Sequence, residues 1–255
     1  MAVLDRFLEP PARAAAAPAE GEVEVWTVGL DLPAAAVTDL ARLLSAEERA
    51  RAERFRFARH RRRFTVGRGV LRILLGRAVG VDPGRVTFRY GAKGKPYLAG
   101  PASRGREPEI HFNLSNSDEL AVIALCREAD LGADVERLRP MPDGLAIAER
   151  FFSAAERRVL AAEPGERRDE SFFRCWTRKE AYLKAVGDGI TVRLDAFDVT
   201  LAADEPPRML SIDGDPGRAA DWELVHLEPA PGYLGALALP ARQGGWRLRG
   251  WRWPV

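Results

Sequence analysis

Residues Trp176-Thr177-Arg178-Lys179-Glu180-Ala181-Tyr182-Leu183-Lys184 lie within a helical pattern that runs from about Arg167 to Val186. Residues four apart share one face of an α-helix, so Trp176, Glu180 and Lys184 form a stripe of aromatic ring, carboxylate and ammonium group. The same stripe also describes an ordinary helix with a buried tryptophan and a Glu–Lys pair worth only about 0.2–0.5 kcal/mol. The helix is therefore predicted to carry packing on this face, and the Glu180–Lys184 pair is a candidate for chemistry.

A second acidic element lies upstream, in Leu131-Gly132-Ala133-Asp134-Val135-Glu136, after the apolar run from Leu120 to Cys126. In a β-strand, Asp134 and Glu136 point to one side and Val135 points to the other, into a core. Glu180 can supply a third carboxylate, and an all-oxygen set without His or Cys suits Mg²⁺. We expect a magnesium site formed by Asp134, Glu136 and Glu180. An exposed edge strand with two solvated acids is the alternative.

Several motifs occur in a fixed order around these two elements. They are Gly94-Lys95-Pro96, His111-Phe112-Asn113-Leu114-Ser115, the Gly-Ala-Asp-Val-Glu strand, Arg150-Phe151-Phe152-Ser153 and the Trp-x-x-Lys-Glu-Ala-x-x-Lys helix. Together they resemble the 4'-phosphopantetheinyl transferases of the surfactin-synthetase-activating type, over roughly residues 45–187. The resemblance implies an Mg²⁺-dependent enzyme that moves the 4'-phosphopantetheine arm of coenzyme A onto a serine of an acyl or peptidyl carrier protein. The other product is 3',5'-ADP.

The resemblance also implies roles for individual residues. Glu180, directly or through a bound water, is the candidate base that takes the proton of the carrier serine. Lys184 is expected to stabilise the phosphate and to protonate the leaving group. Lys179 lies about 100° round the helix from Glu180, so we expect it to contact phosphate from the side or to face solvent. Expected coenzyme A contacts are Arg51, Arg63, Lys93, Gly94, Lys95, Pro96, Ser115, Asn116 and Lys179. Asn116 stands where the family usually has a histidine.

A basic stretch follows the capping box Ser45-Ala46-Glu47-Glu48, which begins a helix. It holds eight arginines, at positions 49, 51, 54, 56, 59, 61, 62 and 63. Arginine binds phosphate in a nucleotide or in a nucleic acid, so a nucleic-acid-binding protein that uses this helix is the alternative function. When the Ser-x-Glu start of this helix is matched to the family pattern, Arg51 falls where the family carries a basic residue for the coenzyme A phosphates. Glu48 falls where some relatives have a lysine.

The loop Gly91-Ala92-Lys93-Gly94-Lys95-Pro96 is too short for a Walker A loop and has the wrong order. Its glycines let the backbone approach a ligand and its lysines supply charge, which fits the family's use of this loop against the adenine nucleotide. A simple hairpin turn is the other interpretation. A second alternative for the whole chain is a catalytically weak family member that still docks carrier proteins, and the intact acid triad argues against it.

Composition is typical of a globular protein: 255 residues, 46% hydrophobic, with a net charge of +2. No stretch approaches the roughly 18–20 apolar residues of a membrane span, and no signal pattern is evident, so we expect a cytoplasmic protein without a membrane partner. We also expect a monomer without a nucleic-acid partner. Cys126 and Cys175 are too few for a disulfide framework, so both are expected to be reduced and structural.

The predicted fold is α+β, a pseudo-dimer of two subdomains that each pack a long helix on an antiparallel sheet. The run Leu71 to Gly80 followed by a strand at 86–89 parallels the run Ala181 to Gly187 followed by a strand at 197–201. The family has two such subdomains, with the ligand between them. We expect a flexible lead-in at 1–20, an N-terminal subdomain at 21–118 and a C-terminal subdomain at 119–255. A mobile loop is expected from Pro101 to Pro108, and a tight turn at Gly187-Asp188-Gly189.

Overall fold

The computed structural model describes residues 3–10, 17–99, 110–187 and 193–254. The predicted loop from Pro101 to Pro108 and the end of the predicted turn after Gly187 lie outside these ranges. Within them, the two halves of the chain repeat one arrangement, as the sequence predicts. Each half packs a long helix on strands that pair mainly antiparallel.

The first half contains β3 (Glu22–Gly29), α1 (Ala34–Leu43), α2 (Ala46–Glu53), α3 (Ala58–Val79), β4 (Thr87–Tyr90), β5 (Pro96–Ala99), β6 (His111–Ser117) and β7 (Leu120–Cys126). It is preceded by two short strands, β1 (Val3–Leu4) and β2 (Phe7–Leu8). The second half contains β8 (Gly132–Arg137), α4 (Gly144–Phe151), α5 (Ala154–Ala162), α6 (Gly165–Val186), β9 (Phe197–Val199), β10 (Met209–Ile212), α7 (Pro216–Ala220), β11 (Trp222–Leu227) and β12 (Tyr233–Pro240). The last strand is β13 (Arg247–Arg252).

The repeat is visible in the strand order. In the first sheet, β7 lies between β3 and β6, and in the second sheet β12 lies between β8 and β11, all antiparallel. Each half also has a small two-stranded sheet, β4–β5 or β9–β10, after its long helix. The predicted α+β pseudo-dimer is therefore confirmed.

Capping signals in the sequence set the helix boundaries. Ser45 and Ser153 each begin a helix in a complete capping box, with Glu48 and Glu156 at the third helical position. Helix α6 ends at Gly187, whose φ of 73° lies in the left-handed region that glycine adopts without strain. Local chemistry thus explains where these helices start and stop.

Terminal strands cross between the halves, which the predicted subdomain limits do not anticipate. Strand β7 and strand β13 both pair with β3 in the first sheet, and β13 runs parallel to β3. Strand β1 pairs with β11 in the second sheet. The predicted limit at 118/119 falls in the turn between β6 and β7, which pair with each other in the first sheet. The expected flexible lead-in contains strands β1 and β2.

The basic stretch also differs from the prediction, because it does not form one helix. Helix α2 ends at Glu53, residues 54–57 bend, and α3 begins at Ala58. Phe55 packs on Phe64 with ring centroids 5.5 Å apart, which holds the chain in the bend. Among the helices of the described ranges, none is long and apolar enough to cross a membrane.

Candidate active site

Helix α6 lies directly on strand β8, and Gly132 makes this approach possible. A Cβ atom at Gly132 would lie 2.0 Å from the carbonyl oxygen of Ala181 and 2.4 Å from the nitrogen of Ala185. Both are backbone atoms that cannot move aside without moving the helix. The bare backbone at Gly132 therefore sets the distance between the elements that carry the predicted acids.

Asp134 and Lys184 meet across this contact. The Lys184 ammonium donates to Asp134 Oδ1 at 2.6 Å and to Ser115 Oγ at 3.0 Å. Asp134 is only 5% exposed, and its Oδ2 is buried with no hydrogen-bond partner in the described part of the chain. A buried carboxylate oxygen without a partner is costly, so Oδ2 is available for a cation or a donor.

Strand β6 supplies hydroxyl groups that hold the acids of β8. Ser115 Oγ donates to Asp134 Oδ1 at 2.8 Å, and Ser117 Oγ donates to Glu136 Oε2 at 2.7 Å. Asn113 Oδ1 accepts the backbone N–H of Ala133 at 3.0 Å. Every second residue of β6 thus contacts β8 through its side chain. The sequence prediction missed Asn113 and Ser117, although both share the alternation that places Ser115 on this face.

Glu180 is electrostatically coupled to the other acids. Burial raises the pKa of Glu180, the negative charges of Asp134 and Glu136 raise it further, and the charge of Lys184 opposes the rise. The three carboxyl groups predicted to act together are therefore close enough for their charges to interact. Proximity of this kind penalises the fully ionised state unless a positive charge lies among them.

The three acids are not arranged as a preformed metal site in the described part of the chain. In residues 3–10, 17–99, 110–187 and 193–254, no three His, Cys, Asp or Glu side chains are arranged as a preformed metal cage. Mg²⁺ usually takes one or two carboxylates from a protein and its remaining oxygens from water and substrate phosphates. The oxygen-only donor set and the unpartnered Oδ2 of Asp134 fit an ion completed by its substrate.

Two neighbouring clefts lie at the candidate site, and Glu180 lines the first of them. The first, of about 270 Å³, is lined by Lys93, Gly94, Lys95, Pro96, Asn113, Leu114, Glu180, Leu183, Lys184 and Gly187. The second, of about 290 Å³, is lined by Leu30, Arg51, Arg63, Phe64, Gly67, Arg68, Leu71, Tyr90, Gly94, Pro96, Asn113, Leu114, Asn116 and Ala121. They share Gly94, Pro96, Asn113 and Leu114, so they adjoin along the β4–β5 turn and strand β6. Together they exceed the roughly 300 Å³ lower limit of small-molecule sites.

Comparison with known proteins decides the family. Residues 130–238 match the model "4'-phosphopantetheinyl transferase superfamily", and residues 33–128 match "4'-phosphopantetheinyl transferase, N-terminal". The 4'-phosphopantetheinyl transferase HetI of Nostoc sp. is 42% identical over 232 residues, which cover 91% of this chain and 92% of HetI. This chain belongs to the 4'-phosphopantetheinyl transferase family.

Two relatives from Bacillus agree with this assignment. The transferase psf-1 of Bacillus pumilus is 37% identical over 168 residues, covering 66% of this chain and 68% of that protein. The transferase Sfp of Bacillus subtilis is 30% identical over 161 residues, covering 63% of this chain and 68% of Sfp. The two family models meet between residues 128 and 130, where β7 gives way to β8.

This phosphopantetheinyl transferase places most of its predicted site residues along the two clefts. Lys93, Gly94, Lys95, Pro96, Glu180 and Lys184 line the first, and Arg51, Arg63, Gly94, Pro96 and Asn116 line the second. Ser115, on strand β6, donates a hydrogen bond to Asp134. Asn116 points to the opposite face of β6 from Ser115, because side chains alternate along a strand.

Lys179 is the predicted site residue that the structure places elsewhere. Its side chain is fully buried and forms an ion pair with Glu156 at 2.9 Å. It also donates to the carbonyl oxygens of Leu194 and Phe197 at 2.7 and 2.5 Å. The expectation that Lys179 contacts phosphate or solvent is therefore wrong, because the 100° rotation from Glu180 directs it into the core.

Lys95 borders the first cleft, but its ammonium group contacts the protein. It donates to Asp130 Oδ1 at 3.1 Å and to the carbonyl oxygen of Ala185 at 2.8 Å. Burial lowers the pKa of Lys95 although Asp130 opposes the change. His111 also contacts Asp130, at 3.1 Å. Lys95 thus links the β4–β5 turn to the end of α6, and Asp130 is a contact that no sequence signal indicated.

The arginines of the second cleft are held by neighbouring groups. Arg63 donates to both carboxylate oxygens of Asp31, at 2.8 and 2.7 Å. The Arg51 guanidinium lies 5.5 Å from the centre of the Phe64 ring. Glu48, which departs from the family pattern, is buried and accepts from Arg68 and Arg72 at 2.5 and 2.6 Å. Glu48 is therefore part of the core beside the cleft and not a phosphate-binding position whose lysine has been replaced.

Proposed function

We propose that this transferase binds the pyrophosphate of coenzyme A in the first cleft and its adenine nucleotide in the second, and transfers the phosphopantetheine arm to a serine of a carrier protein. One observation carries the proposal: Glu180, whose charge interacts with those of Asp134 and Glu136, lines a cleft bordered by Lys93 and Lys184. Cations there offset phosphate charge, while the acids supply oxygen ligands. Family membership supports this reaction class.

The second cleft suits the nucleotide because its lining combines arginine with apolar surface. Arg51 and Arg63 provide positive charge, and Asn116 provides hydrogen bonds beside them. Leu30, Phe64 and Leu71 also line the cleft, so a ring can pack there. We assign the 3'-phosphate to the arginine side of this cleft, where the family usually has a histidine at position 116.

The residues that would hold Mg²⁺ are Asp134, Glu136 and Glu180. When bound, the ion supplies positive charge to the pyrophosphate and so stabilises the departing 3',5'-ADP. Ser115 and Ser117 orient two of these acids through the hydrogen bonds described above. The serine pair therefore supports the acid pair from the adjoining sheet.

Glu180 is our candidate for the base that takes the proton of the carrier serine. Glu180 lines the first cleft beside Lys184, where its carboxylate can reach the hydroxyl group of a serine bound there. Lys184 shares its ammonium between Asp134 and the cleft, with its side chain 29% exposed. It can offset charge on the phosphate and protonate the leaving group. Positioning and charge neutralisation thus perform most of the catalysis.

The partners we propose are coenzyme A and carrier proteins of fatty-acid, polyketide or nonribosomal-peptide synthesis. We propose that the enzyme acts as a monomer. We place the reaction in the cytoplasm, in keeping with two buried, unpaired cysteines.

Acid variants with a matched control test the site. Glu180→Gln and Asp134→Asn should abolish transfer and also remove the Mg²⁺-dependent strengthening of coenzyme A binding in calorimetry. Glu223→Gln is the control, because burial likewise raises the pKa of Glu223 but β11 lies outside both clefts. Near-normal turnover of either acid variant at limiting Mg²⁺ would overturn the metal assignment.

A further inference from the structure

Both halves of the molecule contain the same buried arrangement of charged groups, which we name the clamp. Each clamp consists of the capping-box glutamate of the short helix, a cation on the long helix, and a 3-10 turn that follows the long helix. The second-half clamp is formed by Glu156, Lys179 and the turn Leu194–Ala196. The first-half clamp is formed by Glu48, Arg72 and the turn Pro83–Arg85.

At the centre of the second-half clamp, the charged groups of Lys179 and Glu156 both have hydrogen-bond partners. Lys179 bonds to Glu156 and to the carbonyl oxygens of Leu194 and Phe197, which are the first residue of the turn and the residue after it. Glu156 also accepts the backbone N–H groups of Ser153 and Val199, at 2.9 and 2.8 Å. The clamp therefore ties α5, α6 and β9 together.

The first-half clamp repeats the contacts of the cation position by position, while at the glutamate the Arg68 side chain takes the place of the Val199 N–H. Arg72 donates to Glu48 at 2.6 Å and to the carbonyl oxygens of Pro83 and Val86, at 3.0 and 2.8 Å. These are again the first residue of the turn and the residue after it. Glu48 also accepts the backbone N–H of Ser45 at 2.8 Å. Because two different cations make the same set of bonds, the arrangement itself is a feature of the repeat.

The clamps hold the two helices that face the clefts. Lys179 directly precedes Glu180, so the direction in which Lys179 points fixes the rotation of α6 and hence the direction of Glu180 and Lys184. Arg72 lies one turn beyond Arg68, which lines the second cleft and also donates to Glu48. A buried polar network that is fully hydrogen-bonded holds one geometry rather than several.

We propose that the two clamps are positioning devices with separate tasks in the transfer reaction. The Glu156–Lys179 clamp sets Glu180 and Lys184 against strand β8, and the Glu48–Arg72 clamp sets the wall of the nucleotide cleft. Lys179 is thus a positioning residue that acts through its neighbours and touches no substrate. This inference rests on the proposed function and adds that one clamp positions the catalytic residues while the other positions the nucleotide cleft.

Matched variants separate these tasks. Lys179→Met should lower kcat on the order of 10- to 100-fold, since a small misplacement of reacting groups has effects of that size, and should raise KM for coenzyme A by a smaller factor. Arg72→Met should raise KM for coenzyme A more than it lowers kcat. Arg218→Met, which removes a surface ion pair with Asp213, is the control and should leave both constants unchanged. Rates are expressed per folded molecule from a thermal melt.

A second pair of variants distinguishes positioning from stability alone. Glu156→Gln combined with Lys179→Met leaves no unpaired buried charge, so its melting temperature should recover while kcat stays low. Lys179→Arg restores the cation found in the first half and should recover kcat relative to Lys179→Met.

The proposal would be overturned if kcat recovered together with the melting temperature in the double variant. It would also be overturned if Lys179→Met and Arg72→Met had identical effects on kcat and KM. Absence of transfer by the unmodified enzyme would instead refute the proposed function.

Discussion

Gly132→Ala tests how closely helix α6 must approach strand β8. The added Cβ would lie 2.0 Å from a backbone oxygen, 1.4 Å short of the 3.4 Å at which ordinary contact begins. No side chain can relieve this overlap, so the helix must shift. Overpacking of this kind costs about 1–3 kcal/mol of unfolding free energy. The shift also moves Lys184 away from Asp134, and a displacement of about 1 Å can reduce the rate on the order of 100-fold.

The assay combines urea unfolding with kcat/KM for coenzyme A and an apo carrier protein. Gly29→Ala is the matched control, because a Cβ at this end of strand β3 would meet no heavy atom within 4 Å. We expect Gly132→Ala to lose both stability and activity, with the loss of activity persisting when rates are corrected for the folded fraction. Unchanged unfolding free energy and unchanged kcat/KM in Gly132→Ala would refute the packing argument.

Three further predictions concern substrate, pH and salt. Dephospho-coenzyme A should be a poor substrate, because Arg51 and Arg63 supply the positive charge that asparagine at position 116 lacks. Arg51→Ala or Arg63→Ala should reduce the ratio of kcat/KM for coenzyme A to kcat/KM for dephospho-coenzyme A by about tenfold. Asn116→His should change this ratio little at neutral pH. Equal kcat/KM for the two substrates in the unmodified enzyme would count against this. Burial lowers the pKa of His226 to about 4 in the folded protein, whereas in the unfolded chain it is about 6.5. As pH falls from about 6.5 to about 4, the unfolded chain is protonated first, so the unfolding free energy should fall by up to about 3 kcal/mol. Urea unfolding of His226→Gln should show a smaller loss of unfolding free energy over this pH range than the unmodified protein. The same pH dependence in both proteins would show that His226 does not cause the loss. Higher salt should lower kcat/KM for the carrier protein through slower association with the exposed arginines of α2 and early α3, and a flat salt profile would point to apolar recognition instead.

Local signals in the sequence predicted the elements that build the site. The helix around Glu180, the strand of Asp134 and Glu136, and both capping boxes appear close to their expected limits. Each depends on contacts between residues a few positions apart, so the chain itself carries the information. The internal repeat was visible for the same reason.

Long-range contacts account for what the sequence did not predict. Helical spacing gives the angle between Lys179 and Glu180, but only the capping-box partner Glu156 decides that Lys179 is buried. Strand β13 adds to the first sheet in parallel, and two-residue strands β1 and β2 have no periodicity to detect. Strand pairing across the chain leaves no local pattern from which these pairings could be predicted.

The most direct test of the account is intact mass spectrometry of an apo carrier protein incubated with the enzyme, coenzyme A and Mg²⁺. We expect the carrier to gain one phosphopantetheine arm on its serine, 3',5'-ADP to appear in equal amount, and neither product to form with Glu180→Gln. An unmodified carrier with the folded wild-type enzyme, across fatty-acid, polyketide and nonribosomal-peptide carriers, would contradict it.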